Sequence, residues 1–123
     1  MRKPPKRPKK SKATVQQRTQ ITHGSRGPVV YEDERVGNVT VGDVSPGDAR
    51  VAVGHDMKLW ASENSGGLTA GCLVNVSLVC EQTDDALSVA NDAASNLALQ
   101  FLQRNLEEAK QMIREFRDED RRR

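Results

Sequence analysis

The sequence predicts an α+β protein: an antiparallel four-stranded sheet in meander order, then one long C-terminal helix, with a disordered basic arm in front. Three observations carry the prediction. Between Val29 and Gln82, short runs alternate apolar with polar residues. After Thr83 the period becomes helical, and neither Gly nor Pro interrupts 86–116. The first 31 residues hold nine Lys and Arg and no acid. At 123 residues and 13.6 kDa the chain suits one small domain plus a tail. The expected division is an arm over 1–28 and a single domain over 29–123.

The arm opens Arg-Lys-Pro-Pro-Lys-Arg-Pro-Lys-Lys-Ser-Lys. Its three prolines and mutually repelling charges exclude a helix and favour extension or disorder. Thr14 to Gln20 is polar, with Val15 and the following Ile21 as apolar residues, and Gly24, Gly27 and Pro28 close the segment.

Val29–Arg35 and Val39–Val44 read as the first two strands, with Val36-Gly37-Asn38 supplying turn residues between them. Ser45-Pro46-Gly47-Asp48 reads as a tight turn, since Pro presets φ and Gly tolerates unusual φ. The third strand is Arg50–Trp60, with Val51, Val53, Met57 and Leu59 on one face. Loop residues Ser62–Gly67 follow. In the fourth strand, Leu68–Gln82, residues Val74, Val76, Leu78 and Cys80 share one face, while Leu73 and Val79 point the other way. Thr83 suits a helix cap, and Asp84 and Asp85 suit the positive end of the helix dipole. The helix is expected over about 84–117 from its apolar spacing, with Arg104–Glu108 and Arg114–Asp118 as i,i+4 pairs outside. Its upper half is apolar nearly all round. A second copy is therefore expected to cover it, through Ala90, Ala94, Leu99, Leu102 and Leu106.

Charge is divided unevenly along the chain. Three basic residues face eleven acids over 32–103, and seven face six over 104–123, so a net charge of +2 conceals an acidic body. No apolar run reaches the roughly 20 residues that span a bilayer, and no apolar segment follows the basic start as in a secretory signal. These features point to a cytoplasmic protein without membrane contact.

Little in the chain suits catalysis. His55 and Asp56 are neighbours in a strand and point to opposite faces, so they form no oriented dyad. The Gly66–Gly71 run lacks the Lys-Ser/Thr and the helix of a phosphate loop. Cys72 and Cys80 stand eight residues apart on one strand, about 26 Å at 3.3 Å per residue, too far for a disulfide or a shared metal. They read as buried, reduced thiols, and no cofactor or metal is expected. Trp60 reads as a packing anchor rather than a stacking platform.

The expected function is that of a non-enzymatic, oligomeric nucleic-acid-binding accessory protein, a homodimer or larger. Lys3, Lys6, Arg7, Lys9, Lys10 and Lys12 would neutralise phosphates of single- or double-stranded nucleic acid and release counterions. The alternative is a protein-interaction module, an assembly, adaptor or inhibitor protein whose acidic body and basic arm each meet a protein partner. Like-charge blocks also serve simply as solvated tails.

Overall fold

The computed structural model describes residues 11–24, 27–42, 44–59 and 67–122. Four strands, β1 (Ser11–His23), β2 (Val29–Val41), β3 (Ala49–Leu59) and β4 (Leu68–Cys80), precede one helix, α1 (Asp84–Arg122). All neighbouring strands are antiparallel and the order across the sheet is β2-β1-β4-β3. The fold is thus the expected antiparallel sheet followed by a long helix, but the strands are drawn from the chain differently and do not follow meander order.

Two corrections explain the difference. Ser11–His23, assigned by its charge to the arm, is the inner strand β1. Ala13, Val15, Thr19 and Ile21 alternate with Lys12, Thr14, Arg18 and Gln20, and the first set is buried. The expected break at Val36-Gly37-Asn38 does not occur either. β2 runs unbroken to Val41, with Gly37 paired to Val15. Among the described residues only Gly24 and Gly67 adopt positive φ, so Gly37 is an ordinary extended residue held by a long partner strand.

The expected tight turn at Ser45–Asp48 is a crossover. β2 and β3 lie on opposite edges, so the chain between them passes over the ends of the two inner strands. Val44 drops into the core at 4% exposure, and its carbonyl accepts from Ser11 Oγ at 3.0 Å. The Ser45 carbonyl accepts from the Glu81 amide at 3.0 Å. A Cβ at Gly47 would fall 2.6 Å from the Glu81 Cα and against the Cys80 carbonyl, so the strap needs glycine there to approach the end of β4 closely.

One face of the sheet carries the core. β4 contributes alternate residues from Leu68 to Cys80, β1 contributes Ala13, Val15 and Ile21, and α1 contributes Ala90, Ala94, Ala98, Leu102, Leu106, Ala109 and Ile113. The buried helix positions from Ala90 to Ile113 span about 35 Å at 1.5 Å per residue. Four strands give a sheet only about 14 Å across between its outer strand axes, so α1 lies along the strands, over β4 and β3 and partly over β1. Its alanines let the backbone come close to β4. The Thr83 hydroxyl caps the helix by accepting from the Ala86 amide at 3.1 Å. The expected Arg104–Glu108 pair is replaced: Arg104 lies 5.3 Å from the Phe101 ring centroid, and Glu108 reaches Arg35 of β2 at 3.7 Å. Arg114–Asp118 is not among the ion pairs of the described residues, where Lys110–Glu107 at 3.3 Å is the pair within α1.

Candidate nucleic-acid interface

The opposite face of the sheet has no element over it among the described residues, and the strand registers order it into rows of four. At the end where the chain enters β1, Thr40 of β2 pairs with Lys12 of β1 and Val79 of β4 pairs with Arg50 of β3, both just beyond the last β1–β4 pair, Thr14–Ser77. The next rows are Asn38, Thr14, Ser77 and Ala52, then Val36, Gln16, Asn75 and Gly54. These three rows contain two cations and no acid. Acids begin in the fourth row, Glu34, Arg18, Leu73 and Asp56, and continue with Glu32 beside Gln20, Gly71 and Lys58.

The two halves differ in how their cations are used. Arg18 is held between Glu32 at 2.9 Å and Glu34 at 3.5 Å, which largely cancels its field. Lys12 and Arg50 are exposed and make no ion pair with any described residue. Polar groups surround them: Thr14 Oγ1 donates to Asn38 Oδ1 at 3.3 Å, and the Asn75 side chain occupies the space above Gly54. The apolar members stay uncovered, with Val36 at 70% exposure and Val79 at 39%. A shallow hollow of about 280 Å³ lies at the boundary between the two halves, lined by Gln16, Val36 and Asn75 on one side and Arg18, Glu34 and Leu73 on the other.

Of the expected phosphate-binding residues, Lys12 is described and lies on this face; Lys3, Lys6, Arg7, Lys9 and Lys10 lie outside the described residues, as does Trp60. The expected interface set needs correction. Ala90, Ala94, Leu102 and Leu106 are buried within a single chain, because α1 lies along the strands and its own sheet covers them. Leu99 alone of that set is on the surface, at 46% exposure. His55 is half-buried on the helix side of β3, while Asp56 is exposed on the open face. Both cysteines are free and buried. Burial pushes the Cys72 thiol above its usual range; the Thr19 hydroxyl opposes this and the Glu108 charge adds to it. On the helix side of β2, Arg35 is hydrogen-bonded to Asp33 at 2.6 Å, which strengthens its hold on its proton.

Arg50, Gln16 and Asn75 were missed as surface candidates because a face is visible only once its register is known. The alternation of Lys12, Thr14, Gln16 and Arg18 with Ala13, Val15 and Thr19 was the available signal, and the charge of the segment masked it. Comparison of the chain with family models, curated proteins and solved structures finds no match. No helix among the described residues is long and apolar enough to cross a membrane.

Proposed function

We propose that this chain is a non-enzymatic, self-associating nucleic-acid-binding accessory protein that holds phosphates with its basic arm. One observation carries the reading. The first ten residues contain six Lys and Arg and no acid, and they lead straight into β1 beside the acid-free half of the open face. An acidic body would oppose a nucleic acid laid across it. Within the strand rows the acids of the open face are confined to its far half, so the rows that begin at Lys12 and Arg50 do not themselves oppose phosphate. Self-association draws on Leu99 and Val89, which leave 46% and 41% of their surface exposed on the outside of α1.

A second reading, the protein-interaction module, draws on Asp48, Glu81, Asp84 and Asp85, all exposed at the same end of the molecule. There they suit a basic protein partner. Gel shift with labelled single-stranded and duplex oligonucleotides at low salt decides between the two. The nucleic-acid reading predicts a complex with the full chain that is lost when residues 1–10 are removed. No complex at low salt, where electrostatic attraction is strongest, overturns it in favour of the protein partner.

A further inference from the structure

We infer that the acid-free half of the open sheet face is a second contact surface, specific for single-stranded nucleic acid, and that it continues the path of the arm. The inference rests on the phosphate-binding reading of the arm and adds to it a site, a strand preference and named residues.

Charge selects the class of ligand. Lys12 and Arg50 stand at the same end of β1 and β3, just beyond the last β1–β4 pair, Thr14–Ser77, on strands that flank β4 and so lie two spacings, or about 10 Å, apart. Neither is engaged by an acid of the described residues, and the two rows beyond them carry no acid. An anionic chain on these rows meets Lys12 and Arg50, with Glu34 and Asp56 beyond them on one side and the exposed Asp48 and Glu81 past the strand ends on the other.

Shape and polarity select the strand state. The described part of this face is a sheet surface with no helix or hairpin standing out of it to enter a duplex groove. Sequence-blind contact with a duplex is left to the arm. A single strand can splay its bases onto a surface. Val36 and Val79 offer uncovered apolar area, Ala52 and Gly54 make a low floor on β3, and Gln16 and Asn75 present amides to base edges or sugars. With no aromatic ring on these three rows, the contact is expected to be tolerant of sequence and weaker per base than a stacking platform.

Fluorescence anisotropy with the full chain tests this, using labelled 20-nucleotide oligothymidine and a duplex of equal length. Arg50→Gln should reduce the slope of log affinity against log salt on the single strand by about 0.7, one phosphate, and leave the duplex unchanged. Val79→Glu, which places an acid beside Arg50, should weaken single-strand binding by tenfold or more with the duplex again unchanged. Both sites are exposed, and an unaltered thermal melt shows that each variant is folded. Replacing Lys6, Arg7, Lys9 and Lys10 with Ala should weaken both ligands alike. If Arg50→Gln and Val79→Glu leave single-strand affinity within twofold while the arm variant abolishes it, the face is not a site and the arm reading stands alone. If Val79→Glu instead changes only the mass of the protein in solution, a second copy covers the face and the inference is overturned. Absence of binding by the full chain removes both readings together.

Discussion

Two glycines show how differently the same residue can matter here. Gly47 lies where the crossover meets the end of β4, and a Cβ there would collide with backbone atoms of Cys80 and Glu81. Gly37 has nothing within 4 Å of the corresponding position and lies in the middle of an extended strand. Gly47→Ala should therefore cost about 1–3 kcal/mol through overpacking against backbone. Gly37→Ala should be neutral or stabilising by up to about 1 kcal/mol, since Ala restricts the unfolded chain more than Gly. Urea denaturation of the two variants checks the pair, and the opposite order would mean the crossover is not seated on β4. Cys72 gives a second residue-scale expectation. Its thiol is raised in the folded state, so the unfolded chain releases its proton first as pH rises through the ordinary thiol range near about 8.5. The contribution of Cys72 to stability is complete below that range and declines above it. Melting temperatures from pH 7 to 10 should fall less steeply for Cys72→Ala than for the native sequence. Equal slopes would mean that the thiol titrates normally.

At the scale of elements, β1 decides what the N-terminal region is. It pairs with β2 on one side and β4 on the other, and Ala13, Val15 and Ile21 are each at most 1% exposed. Removing residues 1–10 should leave the melting temperature nearly unchanged, because the sheet described begins at Ser11. Removing residues 1–27 takes out an inner strand and should abolish cooperative unfolding, as followed by circular dichroism. Ile21→Ala alone should cost about 2–5 kcal/mol. A folded chain lacking residues 1–27 would contradict the sheet order. Elements with strong local period were legible in the sequence. The faces of β4, the Thr83 cap and the course of α1 follow from residues close to one another in the chain. β1 was not legible because it was read with the nine positive charges and the prolines of the surrounding segment, of which it holds only Lys12 and Arg18, although Ala13, Val15, Thr19 and Ile21 mark its buried face. The unbroken β2 was hidden for the converse reason: Gly37 resembles a turn until a partner strand long enough to hold it extended is known. The open face was out of reach, since its rows join residues from four strands and depend on an order that local pattern does not contain.

For the whole molecule, the half-covered sheet organises both packing and charge. α1 covers one face, and on the other, among the described residues, the three strand rows nearest the start of β1 carry no acid while the rows beyond them are mixed. The edge strand β2 carries Glu32, Asp33, Glu34 and Arg35 at its centre, which discourages edge-to-edge pairing of copies. The proposed self-association would use the outer surface of α1, where Val89 and Leu99 are exposed. Light scattering should give a mass above 13.6 kDa at micromolar concentration, and Leu99→Glu should lower it without altering the melt. A mass of one chain at every concentration would remove self-association and leave the arm reading intact.

The central claim, that the arm holds phosphates, is tested most directly by the salt dependence of single-strand affinity. Six engaged charges predict a slope of log affinity against log salt of about −4, and replacing Lys6, Arg7, Lys9 and Lys10 with Ala should reduce its size by about 3 while weakening every sequence alike. A slope near zero, or one that the four replacements leave unchanged, would contradict the account.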